Sequence, residues 1–168
     1  MYAMFKDDCK EKIERERITM TIERFTRDEF EEILDEIFEQ NWQLDSGKWG
    51  EIGYVGAIGN GKFIRIMSSI NSKRNVADST GKNSIRVWLV DQYWNPLMPK
   101  INHWTTRLPG WQARLKSQVQ LLKNMSEKLK YCRACEGFEQ VWKVKKNNEN
   151  KGKLFARCQC ENSFRWFD

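Results

Sequence analysis

Histidine is nearly absent from this chain: His103 is the single one. Nucleophilic catalysis of the Cys–His or Ser–His kind would depend on that one ring. Its neighbour Trp104 favours a structural or nucleic-acid-contacting role instead. Carboxylates are scarce in the middle of the chain, where Glu51, Asp78 and Asp91 are the only acids between residues 51 and 126. A two-metal nuclease needs two or three converging carboxylates, so these three are its whole supply. No apolar run approaches the roughly 20 residues that span a bilayer. The stretch MYAMFKDDCKEKIERER lacks the apolar segment of a secretory signal and is rich in acids. The expectation is an intracellular protein of the cytoplasm or the nucleoid or nucleus, not secreted and without a membrane partner. Internal repeats, low-complexity tracts and long linkers are absent too.

What is present is charge, unevenly distributed. Residues 1–50 hold 8 Lys/Arg and 14 Asp/Glu, a net of −6, whereas residues 51–168 hold 21 and 9, a net of +12. Segregation of this kind points to a polyanionic partner for the last two thirds.

The apolar pattern predicts an α+β fold. Phe25-Thr26-Arg27-Asp28-Glu29-Phe30 reads as a capping box with a hydrophobic staple. It opens a helix over 27–41 whose stripe is Phe30, Ile33, Leu34, Ile37 and Phe38. Ile18–Ile22 alternates as a short strand. Gly59-Asn60-Gly61-Lys62 separates two β-prone runs, a hairpin signal. Further strands are expected at 84–91 and around Trp104–Arg107. Leu108-Pro109-Gly110-Trp111 opens a second helix to about 130, with Trp111, Leu115, Val119, Leu122, Met125 and Leu129 as its apolar stripe. The expected architecture is an antiparallel sheet of three to four strands with two flanking helices over residues 1–130. A small zinc-bound β-hairpin module follows over 131–168.

That module is read from its cysteines. Four of the five, Cys132, Cys135, Cys158 and Cys160, fall close together, while Cys9 stands alone. Disulfides would need an oxidising compartment. Two close pairs bracketing a hairpin-length insert instead resemble four thiolates around one structural zinc, at about 2.3 Å from each sulfur. Strands over Glu139–Val144 and Lys153–Arg157, with a turn at 147–152, would bring the pairs together. Metal binding can fold a segment that has too little core of its own.

The residues Asn150-Lys151-Gly152-Lys153-Leu154-Phe155-Ala156-Arg157-Cys158, Cys160 and Phe164-Arg165-Trp166-Phe167-Asp168 resemble a GRF-type zinc finger. The resemblance covers residues 132–168. Lys153 stands where the family usually has arginine, and the second cysteine pair is spaced more closely. Fingers of this kind are appended to DNA repair and topoisomerase enzymes and bind single-stranded DNA, and the resemblance implies that role here.

The residues point the same way by themselves. Lys143, Lys145, Lys146, Lys151, Lys153, Arg157 and Arg165 lie among Trp142, Phe155, Phe164, Trp166 and Phe167. Cations attract phosphates, and exposed rings stack on unpaired bases. At least two of Trp142, Phe155 and Trp166 are nevertheless expected to form a small core behind the metal. In the larger domain Lys62, Arg65, Lys73, Arg74, Lys82, Arg86 and Arg107 are candidates for a second nucleic-acid surface, with Arg65 and Arg86 projecting from one sheet face. The leading expectation is a non-catalytic accessory protein of replication, recombination or repair that binds single-stranded DNA or RNA. The alternatives are a small metal-dependent nuclease using Glu51, Asp78 and Asp91, and a zinc-ribbon module that docks on a polymerase or another replication or repair protein.

Overall fold

The computed structural model describes residues 25–46, 50–77, 84–99, 102–105, 110–160 and 164–167. The expected strand at 18–22, and Asp78, Lys82 and Arg107, lie outside them.

The first helix, α1 (Arg27–Phe38), begins as its sequence requires. Thr26 Oγ1 accepts from Glu29 N (3.2 Å), and Glu29 Oε2 accepts from Thr26 N (3.3 Å). Phe25 and Phe30 close the staple with ring centroids 5.4 Å apart. Two of the four orphan donors of the first turn are thereby satisfied. Phe30, Leu34 and Phe38 are the buried face.

The main sheet is built from β1 (Trp42–Ser46), β2 (Glu51–Gly59), β3 (Lys62–Asn71), β4 (Val76–Ala77), β5 (Ser84–Asp91) and β6 (Asn102–Thr105). It is antiparallel, in the order β1-β2-β3-β5-β6, with β4 pairing β3. It therefore has six strands rather than three or four. The extra ones, β1 and β4, are five and two residues long, too short to show a clear alternation in the sequence. The β2–β3 hairpin turns where Gly59-Asn60-Gly61 predicts, with all three residues left-handed (φ 94°, 56° and 72°). The fourth expected strand begins two residues early, at Asn102.

The second helix, α2 (Trp111–Glu127), buries Trp111, Leu115, Val119 and Leu122. Both helices pack on the sheet face formed by residues such as Tyr54, Ile64, Ile66, Ile85, Val87 and Leu89, in a single core. The fit is tight under α1, where a Cβ at Gly56 would stand 2.3 Å from the Phe38 ring. Only glycine lets the helix approach this closely.

The C-terminal region comprises β7 (Tyr131–Cys132), β8 (Gly137–Phe138), β9 (Gln140–Lys143), β10 (Leu154–Arg157) and β11 (Phe164–Trp166). Strands β7 and β8 pair as a small knuckle, and β9, β10 and β11 form an antiparallel sheet in the order β11-β10-β9. The hairpin expected here is β9–β10, and β11 is a third strand. One face of this sheet supplies Val141 and Ala156 to the main core, and Phe167 joins them just past β11. Val141 N donates to Leu97 O (2.8 Å). The core is thus continuous across residue 130.

Candidate metal centre and nucleic-acid interface

The four cysteines converge. Every pair of Sγ atoms among Cys132, Cys135, Cys158 and Cys160 lies within 4.8 Å. Cys132 is 3.6 Å from Cys160, Cys135 is 2.8 Å from Cys158, and Cys158 is 3.0 Å from Cys160. A tetrahedron with sulfurs about 2.3 Å from its centre has edges of about 3.8 Å, so one ion fits among them. The knuckle provides Cys132 at the end of β7 and Cys135 in the turn. Cys158 follows β10 directly. The backbone N–H of Cys160 donates to Cys135 Sγ (3.2 Å), the kind of support a thiolate ligand receives. Hydrogen bonding, above all with Cys158, pushes the Cys135 thiol up to about 12. Without a cation, four sulfurs this close cannot all be ionised. These cysteines are positioned to bind one metal ion.

A second polar centre in this region is an ion pair whose carboxylate is buried and whose guanidinium is partly exposed. Arg165 spans Glu139 with Nε to Oε1 (3.1 Å) and Nη2 to Oε2 (2.8 Å), and its Nη2 also donates to Lys128 O (2.6 Å). Glu139 Oε2 accepts from Lys130 N (3.0 Å) as well. Burial by itself would raise the Glu139 carboxyl, but Arg165 and the Lys130 N–H outweigh it and hold the group below its ordinary value. Arg165, expected to contact nucleic acid, is therefore committed to tying β11 to the end of α2.

The aromatics are arranged in the opposite way from the expectation. Antiparallel register places Trp142 opposite Phe155 and Phe155 opposite Trp166. The three rings form one row across β9, β10 and β11, on the face turned away from the core. Trp142 is 52% exposed, Trp166 44% and Phe164 60%, while Phe155 is half-buried. They are not the core behind the metal. Val141, Ala156 and Phe167 take that place, because side chains alternate along a strand and the neighbours of the rings face inward. Phe164 extends the patch, with its ring 5.3 Å from Phe155 and 5.4 Å from Trp166.

Cations flank this row. Lys153 Nζ lies 5.7 Å from the centre of the Trp166 ring and donates to Asn150 Oδ1 (2.9 Å). Arg157 stands on the same face as Phe155, and Lys143, Lys145, Lys146 and Lys151 are exposed at the β9–β10 hairpin end. Gln140, on the same face beside Arg157, and Asn150, which holds Lys153, were missed by sequence reasoning. The period-two alternation in β9 was the signal available for Gln140.

The candidates on the larger domain are placed differently. Arg65 and Arg86 do share one sheet face, since Arg65 pairs with Trp88 and Met67 with Arg86. Each is ion-paired, Arg65 Nε with Asp45 Oδ2 (2.6 Å) and Arg86 Nη2 with Glu51 Oε2 (2.7 Å). Lys62 is buried, donates to Ser126 O (2.5 Å) and sits 4.7 Å from the Phe138 ring centre, so burial lowers its pKa. Lys73 and Arg74 are exposed in the turn after β3, away from the others. Lys62 is thus withdrawn from the surface, and Arg65 and Arg86 are engaged with carboxylates. Of the three acids, the two among the described residues, Glu51 and Asp91, do not converge. Glu51 pairs with the Asn71 end of the ten-residue β3 and Asp91 with its Lys62 end, about 30 Å apart at roughly 3.3 Å per residue. Asp91 is occupied with turn N–H groups of Tyr93 (2.8 Å) and Asn95 (2.9 Å).

Comparison of the chain with protein-family models, with curated proteins and with solved structures finds no match in any of the three. The resemblance to a GRF-type finger therefore has no family match beside it. What stands in its place is the coarser statement that four clustered cysteines can hold one ion. Among the described residues no helix is long and apolar enough to cross a membrane.

Proposed function

We propose that this protein binds single-stranded nucleic acid, DNA foremost, on the outward face of its C-terminal three-stranded sheet. The observation that carries the reading is the exposed row Trp142–Phe155–Trp166, in register across three strands and edged by lysines. Unpaired bases stack on such rings at about 1–3 kcal/mol each. Duplex DNA keeps its base faces hidden, so the row favours single strands. Lys143, Lys145, Lys151, Lys153 and Arg157 supply charge for the phosphates. The ion among the four cysteines is zinc, and it is structural, because four thiolates leave no open position for a substrate or water. Its work is to pin the end of β10 and the approach to β11 against the knuckle, which keeps the row flat. By its resemblance to a GRF-type finger, the protein serves as an accessory in replication, recombination or repair.

The test is fluorescence anisotropy of the full chain with labelled single-stranded DNA, single-stranded RNA and duplex of equal length. Expected are tighter binding to single strands and an affinity that falls with salt, with a log–log slope of about −0.7 per phosphate contact. Equal affinity for duplex and single strand, or indifference to salt, refutes the reading.

A further inference from the structure

A groove of about 1310 Å³ runs between the β2–β3 turn, the C-terminal half of α2 and the β7–β8 knuckle, and none of the aromatic row lines it. Its two lysines are tied to backbone carbonyls, Lys62 to Ser126 O (2.5 Å) and Lys123 to Ile37 O (2.8 Å), which leaves their charge in place. Asp91 is committed as well, to the turn that follows β5. Three exposed carboxylates stand on the lining, Glu39, Glu127 and Glu136; none is within ion-pair distance of a cation among the described residues, and Glu127 lies close enough to Lys62 to favour its charged form. Two tyrosines on the lining are also open, Tyr93 72% and Tyr131 56% exposed. With Asp91 the lining holds four carboxylates against two ammoniums, so this is a negative, ring-edged groove on a protein whose net charge is +6.

We propose that this groove docks an arginine-containing peptide segment of a protein partner. Charge complementarity chooses the occupant, because a carboxylate rim repels phosphates and attracts cations. A guanidinium pairs bidentately with carboxylates and also stacks on tyrosine faces, whereas an ammonium makes a compact point contact. The two residue types left open here match both habits of arginine. The volume exceeds the roughly 300–1,000 Å³ of small-molecule sites, as an extended peptide requires. Because the groove and the aromatic row do not overlap, one chain holds a nucleic-acid strand and a protein together.

The experiment titrates the full chain with a fluorescein-labelled nonapeptide of alternating arginine and glycine, with a lysine–glycine peptide as the comparison. The arginine peptide saturates and binds several-fold more tightly than the lysine peptide. The double substitution Glu39→Lys, Glu127→Lys weakens it about tenfold or more, and leaves oligonucleotide affinity undiminished. Glu32→Lys, on an exposed part of α1 outside the groove, changes it by less than about twofold. Absence of saturation overturns the proposal. So does a loss from Glu32→Lys equal to that of the double variant, which would reduce the effect to net charge. If the double variant fails to fold, Tyr93→Ala decides: a loss of about fivefold supports docking, and an unchanged affinity overturns it.

Discussion

On the outward face of the six-stranded sheet, Arg65 lies 5.9 Å from the Trp94 ring centre and Arg86 5.9 Å from that of Trp88. On the outward face of the C-terminal sheet, Lys153 lies 5.7 Å from that of Trp166. The ingredients are the same, cations beside rings on an antiparallel surface. The difference lies in the third party. Asp45 on β1 and Glu51 on β2 pair with the two arginines and offset their charge. Among the described residues, none of the positions paired with Trp142, Phe155 and Trp166 is a carboxylate. An arginine in a strand is thus a poor marker of anion binding until its cross-strand neighbours are known.

The comparison can be broken most forcefully at the metal. Cys158→Ser, or removal of the ion by a chelator, should unpin β10 and β11 and reduce single-strand affinity by about a hundredfold or more, since two or three stacking contacts go at once. Metal content and anisotropy measured on the same sample check it. Next in size, Glu139→Ala removes the carboxylate that joins Arg165 to the Lys130 N–H and should cost about 1–3 kcal/mol of stability in urea unfolding. The same pair gives a pH dependence. The folded Glu139 carboxyl is held below its ordinary value of 4.5, so its contribution is complete above that value. It is lost as pH falls through the lower folded value. Melting temperature between pH 7 and 3 should therefore drop less in Glu139→Gln than in the native chain.

Smaller and more local, Trp142→Ala and Trp166→Ala should each weaken oligonucleotide binding by about 1–3 kcal/mol, roughly 5- to 150-fold. Both rings are about half exposed, so urea midpoints should barely move. Lys143→Ala with Lys145→Ala should make the salt slope shallower by about 1.4. Smallest of all, Arg65→Ala and Arg86→Ala should change oligonucleotide affinity by less than about twofold, because a guanidinium already paired with a carboxylate has little to offer a phosphate. A large loss there would make the two faces equivalent.

Much of this was legible in the residues themselves. The capping box at Thr26, the turn at Asn60 and the stripe of α2 are local signals, and local geometry satisfies them. The paired spacing of Cys132, Cys135, Cys158 and Cys160 foretold their convergence, because a knuckle and a hairpin leave the sulfurs few other places to go. The aromatic row was only half legible. The rings were visible, but which side of the sheet they occupy depends on what the opposite face buries. Lys62 and Arg165 look like their solvated neighbours in the sequence, and only long-range contacts bury the one against Ser126 and tie the other to Glu139.

The amino-acid order alone therefore determined the helices, the central hairpin, the excess of positive charge and the cluster of four cysteines, since each depends on contacts or spacings within a short stretch of chain. Tertiary structure decided which cations are cancelled and which rings stay open. Those outcomes rest on partners up to 86 residues away, and on the choice of Val141, Ala156 and Phe167 rather than the larger aromatics to complete a shared core.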